Sequence, residues 1–240
     1  MLDDMDNTCY HNQRKTYFKV GDNNMNSNFI FSNNHLIILL IFALFLYFSP
    51  KLTKNLLPYS HLVEKLICIL IISGLVLEQC FLIYTHQYSV LNTLPIDIIR
   101  FTEYICIAIL FFKQYQLFNI YFSWSLVCSI GSIIFFKYIS SDFPNFLYFE
   151  YLFSNIIILY TNVYLVQVRK FKINRSAIKD NLISCLTYFS FIFLLNKILG
   201  TNYTYIFSSF NILSILVFTT ITTLLYIPYY FFKSDKSSFN

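Results

Sequence analysis

The amino-acid sequence predicts an all-α membrane protein, a polytopic transmembrane bundle of about seven helices. Hydrophobic residues make up 57% of the chain and charged residues only 12%, with a mean hydropathy of +0.57. Soluble domains carry about 25% charged residues, so this composition excludes a water-soluble globular protein. The 28 Phe and 20 Tyr, set against four Gly, also exclude a disordered chain and a Gly-rich phosphate-binding fold.

Seven apolar stretches are long enough to cross about 30 Å of hydrocarbon. They lie at about 29–49, 62–84, 90–112, 117–138, 144–166, 178–199 and 208–232. Pro50 and Lys51 are expected to end the first helix, and Asp142-Phe143-Pro144 is expected to open the fifth. The short segments between these stretches predict that neighbouring helices are antiparallel.

Polar segments flank this apolar region. Residues 1–28 are Asn-rich and lack the basic start and short apolar core of a cleavable signal, so we expect a disordered N-terminal tail. Residues 29–233 are expected to form the seven-helix membrane domain. Residues 234–240 are then a short cytoplasmic tail.

The basic residues are distributed unevenly between the two sides of this predicted bundle. Five fall on the side of the N-terminus and eleven on the opposite side. The eleven are Lys51, Lys54, Lys65, Lys113, Arg169, Lys170, Lys172, Arg175, Lys179, Lys233 and Lys236. Since cytoplasmic loops carry the excess of Lys and Arg, we predict a multi-pass plasma-membrane protein with its N-terminus outside and its C-terminus cytoplasmic.

Ionisable side chains inside the predicted helices are the strongest functional signal, because each costs about 3 kcal/mol to insert into a membrane. His35, Glu78, Asp97 and Glu150 lie on four different helices, each about six or seven residues from the predicted outer end. At 1.5 Å per residue, all four should lie about 9–10 Å below the outer surface. We therefore predict a shared outward-facing polar cavity, in which these four residues are the candidate catalytic groups.

Three further polar residues are candidate ligand-binding groups of the same cavity, namely Arg100, Asn155 and Asn202. Asp97, Arg100 and Glu103 follow one another at steps of three, so neighbouring pairs face each other along a helix. Arg100 can thereby neutralise one carboxylate, and buried ion pairs that hold the helices together are one interpretation of the pattern.

The count of charges favours a functional interpretation as well. If the four carboxylates at positions 78, 97, 103 and 150 all ionise, Arg100 leaves an excess of three negative charges. Protonated carboxyl groups, a protonated His35, water or a bound cation could compensate them. Each of these solutions would be a functional property of the site.

Several common functional motifs are absent from the sequence. It contains no GxSxG, HExxH or Walker A motif and no CxxC pair, and its six Cys and four His are scattered. We therefore expect no metal site and no cofactor. A net charge of +5 in so apolar a chain predicts no nucleic-acid partner. The expected partners are membrane lipids and a lipid or cation ligand.

Several short segments, taken in order over residues 29–232, resemble the YwaF-like family of integral membrane proteins, which is related to eukaryotic transmembrane ether-lipid acyltransferases. These segments are Phe31-Ser32-Asn33-Asn34-His35, Glu78, Tyr88-Ser89-Val90, Leu94-Pro95-Ile96, Asp142-Phe143-Pro144-Asn145-Phe146, Phe149-Glu150-Tyr151 and Leu199-Gly200-Thr201-Asn202-Tyr203. All fall at the predicted outer ends of helices. The resemblance implies a lipid acyltransferase fold with its site at that end.

This sequence departs from the family pattern at the residues that would carry the chemistry. After the Leu-Pro pair the family shows His and then Cys, a couple suited to a thiolate nucleophile and its base, whereas Asp97 and Ile99 stand here. Glu150 replaces a Gln, and Asn155 replaces the His of a Ser-His pair. A covalent acyl-enzyme of the Cys-His kind therefore cannot be carried over to these positions.

Three functions remain open on the sequence alone. One is a divergent lipid acyltransferase, in which His35 or a carboxylate is the general base for direct attack by a lipid hydroxyl. Another is a transport-type protein without enzymatic activity, whose acidic cavity binds a cation, a proton or a lipid headgroup. The third is a catalytically inactive relative that acts through helix contacts with a partner.

Overall fold

The computed structural model describes residues 33–55, 57–86, 88–89, 93–134, 146–201 and 212–228. In these ranges the chain forms seven α-helices and no strand, so the predicted all-α class and helix number are confirmed. The helices are α1 Asn33–Lys54, α2 Ser60–Tyr84, α3 Ile98–Leu110, α4 Phe118–Ile134, α5 Phe146–Val163, α6 Ala177–Leu199 and α7 Ile212–Leu224. The predicted tails at 1–28 and 234–240 lie outside the described residues.

Three short elements link these helices. The 3₁₀ turns Leu57–Tyr59 and Tyr115–Leu117 precede α2 and α4, and the π-helical turn Tyr164–Val168 continues α5. Single turns of π-helix inside α-helices occur often at functional sites. This one brings the end of α5 close to the start of α2, because the Tyr164 hydroxyl donates to the Ser60 carbonyl oxygen.

Three helical segments of the described chain are long and apolar enough to cross a membrane: Leu57–Tyr84, Phe149–Val168 and Ala177–Leu199. Leu36–Lys51 and Ile212–Leu224 are apolar but shorter. In the most apolar window of each long segment, 61% of the α5 residues are buried inside the protein, against 22% in α2 and in α6. The difference identifies α5 as the central helix of the bundle.

The first helix is longer than the sequence predicts, because α1 passes through Pro50 and ends only at Lys54. Proline removes one backbone hydrogen bond from a helix, but neighbouring helices and hydroxyl side chains can compensate in a membrane protein. Here the Thr53 hydroxyl lies 2.6 Å from the Ser49 carbonyl oxygen and 2.7 Å from the Tyr160 hydroxyl of α5. These contacts anchor the turn that contains the proline.

The third helix is shorter than the predicted stretch at 90–112, since α3 begins at Ile98 and has 13 residues. Pro95 disfavours helical backbone in the residue before it, and Asp97 provides a strong N-cap. A helix of this length spans about 20 Å, less than the hydrocarbon thickness of about 30 Å. The described backbone at 93–97, directly before α3, is not helical.

The bundle core is aromatic on one side of α4. Trp124 is fully buried and packs against Phe101, Tyr188 and Phe218. Its indole N–H donates to the Asn181 side-chain oxygen at 2.9 Å, so α4 is joined to α6 by both packing and a buried hydrogen bond.

Candidate functional site

The candidate site forms where the start of α3 meets the sides of α2 and α5. The Asp97 carboxylate accepts a hydrogen bond from the Arg100 backbone N–H at 2.7 Å and caps the first turn of α3. The predicted place of Asp97 inside a helix is therefore wrong, because the chain is extended at this residue. The cap fixes the turn that carries Arg100.

Arg100 is the central residue of the site. Its guanidinium Nη2 lies 2.7 Å from the Glu78 carboxylate of α2 and 3.2 Å from the Glu150 carboxylate of α5. Its Nη1 lies 2.9 Å from the Glu103 carboxylate one turn further along α3. The guanidinium therefore joins three helices that are distant in sequence, and we call this group of four side chains the Arg100 cluster.

Two small residues, one on α5 and one on α2, adjoin the Arg100 cluster. The Ser154 hydroxyl donates to the Glu150 carboxylate at 2.9 Å and accepts from Arg100 Nη1 at 3.3 Å. Gly74 of α2 faces both, since a Cβ atom there would lie 3.6 Å from Glu150 Oε1 and 3.7 Å from Ser154 Oγ. A methyl group would fit at this distance, whereas a larger side chain would displace the carboxylate.

The Arg100 cluster is buried but not closed. The side chains of Arg100, Glu103 and Glu150 are 6%, 1% and 5% exposed, whereas that of Glu78 is 21% exposed. With every group ionised, the three carboxylates and one guanidinium described here carry a formal charge of −2. Glu78 is the side chain through which a ligand can reach this charge.

The structure brings together part of the predicted set of site residues. Glu78, Arg100 and Glu150 are in direct contact, and Asp97 lies at the edge as the helix cap. Asn155 is fully buried, and its amide N–H donates to the Tyr151 carbonyl oxygen of its own helix. Among the described residues no partner faces its side-chain oxygen.

Two predicted residues cannot be placed in the site. His35 belongs to α1, but its side chain is not among those described. Asn202 lies outside the described residues altogether. Their assignment to the cavity stays a prediction.

The sequence analysis also missed groups that the structure brings together. Ser154 lies one helical turn after Glu150, and Gly74 lies one turn before Glu78, so i to i+4 spacing from the acidic residues would have identified both. A second ionic cluster at the other end of the bundle contains Glu64, which lies near the start of α2. The sequence signal for this cluster is a carboxylate near the start of an apolar helix, at the end of the bundle where basic residues are frequent.

The described part of the chain shows no couple of nucleophile and base at this site. Ile99 occupies the position of the expected Cys and Asp97 that of the expected His. Cys68, Cys106, Cys128 and Cys185 are buried in the bundle, and Cys80 is exposed on α2. Within the part of the chain that the structure describes, no group of three or more His, Cys, Asp and Glu side chains is arranged to hold a metal ion.

Comparison with known proteins identifies the family. The model of the TMEM164 family, a family of transmembrane proteins, matches residues 27–234. No curated protein matches the chain, and no solved structure does. Because the match covers the whole helical region, the chain belongs to the TMEM164 family and is a membrane protein.

Proposed function

We propose that this membrane protein binds a cationic ligand at the Arg100 cluster, in a polar cavity at the outer end of the bundle. The observation that carries the proposal is the excess of carboxylates around Arg100, of which Glu78 remains accessible. Unpaired charge at a buried site is costly, so two formal negative charges require protons or a cation. A bound cation satisfies them, and protons can take its place when the site is empty.

The backbone at the start of α3 supports a hydrated cavity. Arg100 reaches Glu78, which lies six residues before the end of α2 at Tyr84, or about 9 Å along that helix. The backbone at 93–97 therefore passes the end of α2 without forming a helix. At membrane depth such backbone is tolerated where it is covered by protein or lines a water-filled cavity.

Side chains of the bundle cover part of this backbone. The Tyr104 hydroxyl donates to the Pro95 carbonyl oxygen at 2.9 Å, and the Tyr188 hydroxyl donates to the Ile96 carbonyl oxygen at 3.0 Å. These contacts fix the backbone that leads into α3, and with it the position of Arg100 in the proposed binding site.

The distribution of charge supports the proposed orientation. The Arg100 cluster lies at the end of the bundle formed by the end of α2 and the start of α5, and most basic residues lie at the other end. By the positive-inside rule, this distribution supports an outer location for the cluster and a cytoplasmic C-terminus. We propose the plasma membrane as its location, with the ammonium group of a lipid or a small cation as the ligand.

Thermal unfolding in detergent, followed through the fluorescence of Trp124, tests this function. Ethanolamine, choline and Ca²⁺ are the probes, added at constant ionic strength to the wild type, to Glu78→Gln and to the cap variant Asp97→Asn. A ligand at 100 times its dissociation constant stabilises the folded state by about 2.7 kcal/mol. We expect stabilisation of the wild type by at least one probe and its loss in Glu78→Gln, whereas Asp97→Asn keeps it. Equal responses of wild type and Glu78→Gln would contradict the proposal.

A lipid acyltransferase is the second candidate function, supported by the resemblance of the helix-end segments to YwaF-like proteins. In this reaction the hydroxyl of a lysophospholipid attacks the ester carbonyl of a donor phospholipid. A carboxylate such as Glu78 takes the hydroxyl proton, and the donor oxygen leaves with a proton. No covalent enzyme intermediate is required, which agrees with Ile99 and Asp97 at the positions of Cys and His.

A labelled phospholipid donor and a mixture of lysophospholipids test this candidate in lipid nanodiscs, with product masses measured directly. Label on the acceptor lipid that disappears in Glu78→Gln or His35→Ala supports acyl transfer. Absence of transfer above empty nanodiscs, with the fluorescence of Trp124 showing a folded protein, excludes this activity for these lipids.

A further inference from the structure

A second ionic cluster lies at the end of the bundle opposite the Arg100 cluster. Glu64 of α2 is buried, with a side chain 3% exposed, and its two carboxylate oxygens pair with Lys113 Nζ and with Arg169 Nε at 3.0 Å. The Tyr164 hydroxyl donates to the same carboxylate at 3.2 Å. Among the described residues, two basic side chains therefore share one carboxylate, and the group carries a formal charge of +1. We call it the Glu64 cluster.

Unusual backbone surrounds the Glu64 cluster. Lys113 and Lys170 have φ of +57° and +60°, which an L side chain adopts at a cost of about 1 kcal/mol. The π-helical turn Tyr164–Val168 lies directly before Arg169. The two segments that supply basic side chains to Glu64 thus depart from regular helix.

The basic side chains of the cluster retain donors that can serve a ligand. The side chains of Lys113 and Arg169 are 46% and 29% exposed, so each can reach an anion without leaving Glu64. Arg169 Nη1 donates to the hydroxyl of Ser60, the first residue of α2, at 3.4 Å. Tyr59 at the N-cap makes no side-chain hydrogen bond to that helix, and a helix start without such a cap favours anions.

Exposed aromatic side chains surround these donors. Phe111 and Phe112, next to Lys113, are 58% and 65% exposed, and Tyr59 is 58% exposed. Aromatic side chains are enriched at the level of the lipid headgroups. The headgroup region of a cytoplasmic leaflet is also where anionic lipids attract basic residues.

We propose that Lys113, Arg169 and the start of α2 bind a phosphate group, supplied by an anionic lipid headgroup or by free phosphate. Glu64 holds the two basic side chains in position while the site is empty, and a phosphate takes up their remaining donors. Charge-assisted hydrogen bonds to Arg and Lys are the strongest contacts available for such a ligand. The site is independent of the Arg100 cluster and of its cation.

Isothermal titration calorimetry of the purified protein in neutral detergent tests the site. The probes are dioctanoyl phosphatidic acid, inorganic phosphate and dioctanoylglycerol, which has the same chains without the phosphate. We expect phosphatidic acid to bind and dioctanoylglycerol not to bind. Binding of inorganic phosphate as well would show that the phosphate alone is recognised, and binding of phosphatidic acid alone would show a lipid site. A wild type that binds neither phosphate compound overturns the proposal.

Matched variants separate a specific site from general attraction to a basic surface. Lys113→Gln should weaken binding about tenfold, the value of a charge-assisted contact, and Lys113→Arg should restore it. Lys65→Gln removes the same charge from an exposed position on α2 and should change binding less than about twofold. Equal losses in Lys113→Gln and Lys65→Gln would contradict the proposal.

Glu64→Gln should change the affinity for phosphatidic acid in the opposite direction to Lys113→Gln. Removal of the negative charge leaves both cations for the ligand, so phosphatidic acid should bind more tightly than to the wild type. A purely structural ion pair predicts instead that Glu64→Gln binds no better than the wild type. If this variant does not fold, the Lys113 and Lys65 variants still decide the question.

Discussion

The two ends of the bundle contain ionic clusters of opposite composition. In the Arg100 cluster one guanidinium faces three carboxylates, whereas in the Glu64 cluster one carboxylate faces two basic side chains. The side chains of both clusters lie on the same three helices, α2, α3 and α5, or on the segments that directly follow them. The difference teaches that neither cluster is a one-to-one ion pair, and that the formal excess is negative in the first and positive in the second.

The clusters also differ in exposure, and this determines how much each contributes to stability. Arg100 is 6% exposed and contacts carboxylates on three helices, so little water can replace a lost partner. Lys113 and Arg169 are 46% and 29% exposed, so water can solvate them when Glu64 is lost. Removal of the central ionic side chain should therefore lower the free energy of unfolding more at the Arg100 cluster than at the Glu64 cluster.

The largest effect is expected from Arg100→Leu. Loss of the guanidinium leaves three carboxylates without their cation, and breaking a buried pair in this way costs about 3–5 kcal/mol. Thermal unfolding in detergent measures the loss. Since protons can then neutralise the carboxylates, the variant should be more stable at low pH than at high pH. A variant that unfolds like the wild type at every pH would show that the cluster contributes nothing to the fold.

Removal of Glu64 should have a smaller effect and sharpens the comparison. Glu64→Ala leaves two cations that are partly solvated, so we expect a loss of about 1–3 kcal/mol in the same measurement. Lower pH should not restore stability, because no carboxylate is left unpaired. A loss larger than that of Arg100→Leu would reverse the order that exposure predicts.

The helix cap beside Arg100 should contribute less again. Asp97→Ala removes the hydrogen bond to the Arg100 backbone N–H and should lower the free energy of unfolding by about 1 kcal/mol. Asp97→Asn retains a cap and should lower it by only about 0.3 kcal/mol. Chemical denaturation of the two variants side by side measures the difference. Equal losses would indicate that the charge of Asp97, and not its cap, stabilises the start of α3.

The smallest change is expected at Gly74. In Gly74→Ala the added methyl group lies at ordinary contact distance from Glu150 and Ser154 and raises helix propensity by up to about 1 kcal/mol. Stability should therefore be unchanged or slightly increased. Gly74→Leu should instead displace Glu150 and weaken the response to the cation that stabilises the wild type. Unaltered cation binding in Gly74→Leu would place the ligand away from α5.

Much of the fold could be predicted from the sequence because apolar length dominates membrane insertion. Seven stretches predicted seven helices, yet Pro50 and the start of α3 were misjudged. At Pro50 a tertiary contact outweighs local propensity, since Thr53 bonds to Tyr160 of α5 and supports the turn. At α3 a local signal outweighs the apolar pattern, since Asp97 caps a helix that the pattern extended too far. Neither effect can be predicted from apolar periodicity alone.

The candidate site was predicted in part for a related reason. Counting residues from helix ends gave similar depths for Glu78 and Glu150, which the structure joins through Arg100. The same count cannot tell which face of a helix a residue occupies. Asn155 is buried and bonds to the Tyr151 carbonyl oxygen of its own helix, and its place in the site stays a prediction. The Glu64 cluster was missed because its partners come from segments that the sequence separates by about fifty residues or more.

The central claim is that a cation balances the excess carboxylates at the Arg100 cluster. Infrared difference spectroscopy of the carboxyl groups tests it most directly, by comparing the protein with and without ethanolamine or Ca²⁺ at neutral pH. We predict that a bound cation displaces protons, so the protonated carboxyl signal of the wild type decreases and that of Glu78→Gln does not respond. An unchanged signal in the wild type with every cation would contradict the claim, because no exchange of protons for a cation would then occur at the cluster.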